Sequence, residues 1–269
     1  MMTPSRAPDP ILTIRNVSRR YVSSRHNTTA VQGISLDIRE GEFVCVVGPS
    51  GCGKSTLLNL IAGLDKPSEG QLVFDGKPIR GAGADRVVVF QDAALYPWLN
   101  VRANVEFGLK IKRVSGKERR AIADRYLELV TLRQFERAFV HELSGGMNQR
   151  VQLARALAVE PRMLLMDEPF AALDAQTRDV LQAELQEIWQ RTGATIFFIT
   201  HNVREAALLS DRVLVMTPGP GRIKATIPVP LQRPRDPDTH AVVDFAAEIR
   251  RELQHDEYAS KATESGYVI

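Results

Sequence analysis

The chain has 269 residues, 44% of them hydrophobic and 25% charged; this is an ordinary globular composition with material for one large core, or a core plus a small subdomain. A formal net charge of +3 demands no nucleic-acid partner, while a pI near 8.9 permits a weakly anionic neighbour such as a membrane surface.

No apolar run approaches the roughly 18 to 20 residues that a membrane helix needs; strings such as "TIFFIT" at 195–200 are strand-sized. The start, "MMTPSRAPDPILTIR", places Pro and Asp where a secretory signal has its apolar core, so neither a signal peptide nor a transmembrane segment is expected. Cys45 and Cys52 fall in one strand-to-loop segment, too close to staple a fold, which points to a reducing, cytoplasmic setting.

In chain order, residues 1–10 read as a flexible terminus, followed by β-rich "ILTIRNV", polar "SSRHNTT" and the alternating strand "ISLDI" at 34–38. This is an antiparallel start. "FVCVV" at 43–47 is continuously apolar, as in a strand covered on both faces. It runs through "GPSGCGKST" into a helix whose buried face is Leu57, Leu58, Leu60 and Ile61, with Gly63 suited to its end. "QLVFDGKPI" reads as a hairpin and residues 86–90 as another buried strand. From 101 to 143 the pattern is helical, with Ile122, Tyr126, Leu129 and Val130 on one side of "GKERRAIADRYLELV". A helical subdomain inserted at about 95–160 is expected, with Lys117, Arg119 and Arg120 as a solvated face.

From Pro161 the α/β rhythm returns: "MLLMD", a helix at 174–191, "TIFFITH", a helix at 203–209, and "RVLVM". The fold class expected is α/β: a mainly parallel sheet with ligands at the carboxyl ends of its strands, an N-terminal antiparallel β subdomain and the helical insertion. Residues 11–230 form the main domain on this reading. Residues 231–269 form an extension, carrying an amphipathic helix with Val242, Phe245, Ile249 and Leu253 on its buried side and a loose end after it.

"GPSGCGKS" fits the phosphate-loop pattern of a P-loop NTPase core, a strand before it and a helix after it. Its glycines let backbone N–H groups turn inward around a phosphate, Lys54 supplies mobile positive charge, and the Ser55 hydroxyl can hold Mg²⁺. "MLLMDEP" ends a strand in two carboxylates, Asp167 to support the metal and Glu168 to orient or deprotonate a water, although such a pair also serves as a helix cap. His201 stands at another strand end, as a donor to a γ-phosphate or as a plain surface histidine. Gln91, after "VVVF", can touch both Mg²⁺ and the attacking water, or is an ordinary strand-end polar residue. Cys52, among loop amides at a helix start, is expected to have a lowered pKa.

"LSGGMNQR" at 143–150 is a second Gly-rich helix start, and one nucleotide needs only one cradle. These elements together resemble the ATP-binding cassette subunits over residues 11 to about 230. The resemblance implies that Tyr21 stacks on adenine and that Gly48, Pro49, Ser50, Gly51, Cys52, Gly53, Lys54, Ser55 and Thr56 form Walker A around the phosphates of ATP. It makes Gln91 the Q-loop, Asp167 and Glu168 Walker B, Asp174 the D-loop residue and His201 the switch histidine; Ser55, Gln91 and Asp167 would share Mg²⁺. It also implies a head-to-tail dimer, in which Ser144, Gly145 and Gly146 of one subunit face the ATP of a second nucleotide-binding subunit, most simply another copy of this chain. Met147, Asn148, Ala171 and Asn202 depart from the usual residues without removing a catalytic group.

A narrower resemblance is to the importers of nitrate, sulfonate and taurine, carried by "FQDAALYPWLNVRANVEFGLK", "MDEPFAALDAQTR", "ITHNVREAALLSDRV" and "LQRPRD". It implies a peripheral subunit at the cytoplasmic face of the inner membrane. Transmembrane permease subunits would dock through coupling helices in a groove near Leu95, Tyr96 and Trp98, with a periplasmic or extracellular solute-binding protein supplying the solute. In the competing reading, Trp98 packs the subdomain. A soluble cassette acting on ribosomes or DNA is disfavoured by the single set of motifs and the lack of sustained heptads. A P-loop kinase or GTPase has no use for "LSGG".

Overall fold

The computed structural model describes the backbone of residues 10–22 and 27–264, and the side chains among them as far as Gln254. The flexible start, part of the polar "SSRHNTT" and the loose end expected after the last helix lie outside the described residues.

β1 (Leu12–Val22) pairs antiparallel with β2 (Asn27–Ile38) on one edge and β4 (Glu69–Phe74) on the other, and β4 turns back as the short β5 (Lys77–Pro78). This four-stranded sheet buries alternate residues of β2, Ile34, Leu36 and Ile38, as a one-sided sheet must.

The second sheet has six strands, built from β3 (Phe43–Val47), β6 (Arg86–Val89), β7 (Met163–Asp167), β8 (Thr195–Ile199), β9 (Arg212–Met216) and β10 (Ile223–Pro228). Their order is β10-β9-β3-β8-β7-β6. Pairing is parallel throughout, except that β10 closes one edge antiparallel to β9. β3 and β8 are buried along their whole length, which is why both read as unbroken apolar runs. Their residues feed two cores in alternation. Val44 and Val46 face α1 (Lys54–Ala62) and the antiparallel sheet, whereas Phe43, Cys45 and Val47 join the core beneath the other helices.

The helical stretch contains α2 (Val101–Ile111), α3 (Gly116–Leu129), two 3-10 turns (Arg133–Phe135 and Val140–Glu142) and α4 (Gly145–Ala158). Asn100, Ser115 and Ser144 cap α2, α3 and α4 by accepting from the amides of Ala103, Glu118 and Met147; these are the residue types that stop a helix from fraying at its start. Lys117 and Arg120 are exposed, and Arg119 pairs with Glu106 at 2.9 Å. Beyond them lie α5 (Ala175–Thr192), α6 (Val203–Leu209) and α7 (His240–Glu264). Asp174 is the N-cap of α5, accepting from Thr177 N at 3.0 Å, and Asn202 caps α6.

α7 lays Val242, Phe245 and Ile249 into the core against α6 and β9. The segment leading to it is pinned by Arg235, whose buried guanidinium donates to the carbonyls of Ala207 (2.9 Å), Leu208 (3.2 Å) and Ser210 (2.7 Å) at the end of α6. Burial, with the Arg233 charge beside it, pulls the Arg235 pKa down to about 10. The site is therefore costly to charge, and it is held by otherwise unpaired helix-end carbonyls. Arg235→Ala is expected to lower the unfolding free energy by about 2–3 kcal/mol, seen as a lower urea midpoint. The exposed Arg251→Ala on α7 should stay within about 0.5 kcal/mol.

Candidate functional site

Three parallel strands end level. Val46 of β3 pairs with Ile199 of β8, and Ile199 pairs with Asp167 of β7, so one row of the sheet runs Val46, Ile199, Asp167. The segments that follow these strands, beginning at Gly48, Glu168 and Thr200, leave the sheet along one edge.

Gly53, the N-cap of α1, has φ 96°, and a Cβ there would lie 2.6 Å from the Ala30 carbonyl oxygen and the Val31 side chain. Only glycine fits. No side chain caps α1, which leaves the amides of its first turn for an anion at the positive end of the helix dipole. Lys54 is buried, and its ammonium donates to the carbonyls of Gly48 (2.8 Å) and Pro49 (3.0 Å). A buried cation held only by neutral oxygens suits a polyanion. Gly48 is buried, Pro49 and Thr56 half-buried, and Ser50, Gly51 and Ser55 exposed.

Cys52 departs from expectation. Its side chain is 1% exposed, and burial pushes the thiol up, overriding the nearby Lys54 charge and the loop hydrogen bonds that pull it down. The Lys54 ammonium is 3.9 Å from its sulfur. Proximity to a helix start lowers a thiol pKa only where water or the amides can reach the thiolate.

The two adjacent carboxylates diverge. Asp167 is hydrogen-bonded to the Ser55 side chain; burial raises its pKa, the Ser55 bond lowers it, and the neighbouring Glu168 charge raises it again. Glu168 has φ 47°, a left-handed conformation that costs a non-glycine residue about 1 kcal/mol or more. Its amide donates to the Ile199 carbonyl at 3.0 Å. The twist sends its carboxylate to His201, with Oε2 2.9 Å from Nδ1. The contact uses one ring nitrogen of the exposed His201. Among the described residues no group of three or more His, Cys, Asp or Glu could hold a metal. The pairing of a hydroxyl with a carboxylate nevertheless fits a hard cation that takes its other ligands from phosphate and water.

Gln91 is exposed beyond β6, and its carbonyl accepts from Gln149 Nε2 at 3.1 Å. That contact is one of a set. Gln149, Gln152 and Arg155 lie on one face of α4 and donate to main-chain carbonyls of the Q-loop. Gln152 reaches Phe90 (3.2 Å), and Arg155 reaches Ala94 (3.0 Å). Gln149 also bonds the carbonyl of Pro169, the residue after Glu168. Sequence reading missed these residues, although long polar side chains spaced three apart on a core-facing helix are a usable signal.

Ser144 and Gly145 are exposed at the start of α4. A Cβ on Gly146 would meet Thr177 of α5 at 2.6 Å. α1 packs on β2, β6, β7 and β8, whereas α4 packs on α2, α3, α5 and β6. The two Gly-rich helix starts thus belong to different parts of the fold. Asp174 is exposed, and its carboxylate is held low by the Thr177 amide and side chain. Tyr21 is partly exposed on β1; its hydroxyl donates to Asp65 at 2.8 Å and the Arg19 guanidinium lies over its ring, 4.5 Å from the centroid.

Known proteins are similar to this chain in sequence and fold. The family model for "ABC transporter" matches residues 31–171. An uncharacterised ABC transporter ATP-binding protein of Methanocaldococcus jannaschii is 50% identical over 88% of this chain and 89% of its own. The nitrate import ATP-binding protein of Synechocystis is 50% identical over 85% of each chain. The taurine import ATP-binding protein of Burkholderia pseudomallei is 51% identical over 80% of this chain and 82% of its own. Among solved structures, a dimeric ATP-binding cassette in a post-hydrolysis state, bound to ADP and Pi, superposes with a TM-score of 0.72 at 33% identity. It covers 82% of this chain and 100% of that one. With the phosphate loop, the paired carboxylates and the second helix start assembled as described, this chain belongs to the ABC transporter family, as an ATP-binding subunit and an ATPase.

Proposed function

We propose that this chain energises a membrane importer for a small anionic solute of the sulfonate, taurine or nitrate type, and that ATP is hydrolysed between two copies of it. The solute class rests on the nitrate and taurine import relatives. The observation that carries the dimer is the pair of Gly-rich helix starts: α1, free of a side-chain cap, lies with Asp167, Glu168 and His201, while α4, capped by Ser144, presents the exposed Ser144 and Gly145 from another layer. A single ATP uses the first, and the second serves the ATP of a partner copy.

In this reading Tyr21 stacks on adenine, the amides of residues 48–56 and Lys54 bind the phosphates, and Asp174 lies at the dimer interface. Ser55, Gln91 and Asp167 would hold Mg²⁺, which would supply positive charge to offset the phosphates. Glu168 orients a water and takes its proton as the oxygen attacks the γ-phosphorus. The bond to the β,γ-bridging oxygen breaks, giving ADP and phosphate. His201, steadied through Nδ1 by Glu168, turns Nε2 toward the γ-phosphate. ATP binding closes the dimer by shared contacts with one polyanion, and hydrolysis divides that charge and loosens it.

The permease coupling helix docks near Tyr96. An apolar groove there is lined by Val87, Tyr96, Phe107, Ile111, Ala156 and Val159. Trp98 is 70% exposed beside Tyr96, which supports docking over a packing role within the subdomain. Buried Asn104 shapes the rim by bonding the backbone of Tyr96, Leu99 and Asn100. Among the described residues no helix is long and apolar enough to cross a membrane. The subunit works at the cytoplasmic face, held by its permease, with an external binding protein delivering the solute.

Glu168→Gln is expected to bind ATP, to accumulate as a dimer in light scattering and to lose about 10²- to 10⁴-fold in turnover; a monomer with normal turnover would overturn the mechanism. Lys54→Ala should weaken ATP binding roughly 10- to 100-fold in fluorescence titration, the loss of charge-assisted hydrogen bonds. Ser144→Arg should leave ATP affinity of the single subunit intact and abolish hydrolysis, and persisting hydrolysis would exclude the shared site.

A further inference from the structure

Glu205 is an acidic residue in the first turn of α6, yet it is only 5% exposed. A carboxylate at that depth must be compensated, and its partners are informative. Oε2 accepts the Thr200 hydroxyl at 2.5 Å. The Thr200 oxygen in turn accepts the Asn202 amide at 2.9 Å, so both neighbours of His201 hang from one carboxylate. Oε1 accepts from Gln182 Nε2 at 3.1 Å and lies 3.9 Å from Arg178 Nε. Burial pushes the Glu205 carboxyl up, and the Thr200 hydroxyl and the Arg178 charge pull it back.

Arg178 meets Glu205 by charge alone and spends its hydrogen bonds on main-chain carbonyls. Nη2 donates to the Leu173 carbonyl at 2.7 Å and Nε to the Phe170 carbonyl at 3.3 Å. These carbonyls belong to the segment joining Glu168 to Asp174, which folds back on itself through Ala171 N to Glu168 O (3.1 Å) and Leu173 N to Phe170 O (3.2 Å). The chain of contacts runs from Glu168 along this segment to Arg178, Glu205, Thr200 and His201. It then closes, because His201 Nδ1 returns to Glu168 at 2.9 Å.

We infer that Glu205 and Arg178 are positioning residues, a buried carboxylate beside a half-buried guanidinium, which together lock the D-loop segment and the switch-histidine segment into one unit and so set the Glu168–His201 geometry. The inference rests on the proposed roles of Glu168, His201 and the D-loop. The direct contact between Glu168 and the exposed His201 ring is solvent-screened and weak alone. Glu168 is also held in a strained backbone conformation, which persists only where the surroundings over-determine it. The ring of contacts beneath it supplies that constraint. None of its buried members belongs to the phosphate loop, so nucleotide affinity should be untouched.

The test uses the full-length chain with Mg-ATP. Glu205→Ala and Thr200→Val are each expected to lower kcat by at least about tenfold, as a misplaced catalytic group does, while ATP affinity by equilibrium titration stays within about threefold of the parent, and Glu205→Gln should recover part of the loss. In the Glu168→Gln background, Arg178→Lys should weaken the ATP-dependent dimer, because its ammonium cannot bridge the two carbonyls and Glu205 as the fork does. If Glu205→Ala does not fold by circular dichroism, Thr200→Val and Arg178→Lys decide. Parental kcat and dimer strength in the folded variants would overturn the inference, as would equal losses in ATP affinity and kcat, the mark of general damage. If the Glu168→Gln parent itself stays monomeric in ATP, the proposed function fails instead.

Discussion

The placement of the chemistry depends on strand register. Ile199 sits between Val46 and Asp167 in the rows of the parallel sheet, and that alignment sets where the phosphate loop, the acidic pair and the histidine leave it. In strands buried on both faces a slip by one residue exchanges the two cores; Val44 and Val46 would be driven into the space filled by Phe43, Cys45 and Val47. The apolar packing that makes the sheet stable is therefore also what makes the polar edge accurate. The placement of Asp167 beside Ser55 is inherited from the buried valines and isoleucines of the sheet.

Charge is handled at this edge by separation. Asp167 and Glu168 are consecutive, and like charges so close would oppose each other's ionisation. The left-handed turn at Glu168 sends one to Ser55 and the other to His201. Lys54 sits inside its own loop's carbonyls, whereas Arg178 and Glu205 neutralise one another under the surface. The edge thus holds several charges at short range, each with its own partner.

Much of this was legible in the sequence because local pattern determines it. "FVCVV" could only be a covered strand, Leu57 to Ile61 could only face a core, and Asp174 and Asn202 stand where helices begin, their caps following from side-chain chemistry. The lowered thiol pKa expected for Cys52 fails because a thiol's pKa depends on burial, and burial comes from a core shared with residues far along the chain, Met216 among them. Glu205 was passed over because an acid in a helix's first turn is ordinary; only the fold shows that it points inward. The antiparallel edge strand β10 follows a Pro-rich turn that masks its pairing. Gln149, Gln152 and Arg155 were invisible for another reason, since their partners are carbonyls, and carbonyls are the same at every position.

α4 grips the loop at 90–94 through main-chain oxygens, so the grip is indifferent to which side chains the loop carries. The side chains of residues 90–94 can therefore change without disturbing the hold of α4 on this loop. Loop position and loop side-chain identity are thereby set independently, because they rest on different atoms of the same short segment.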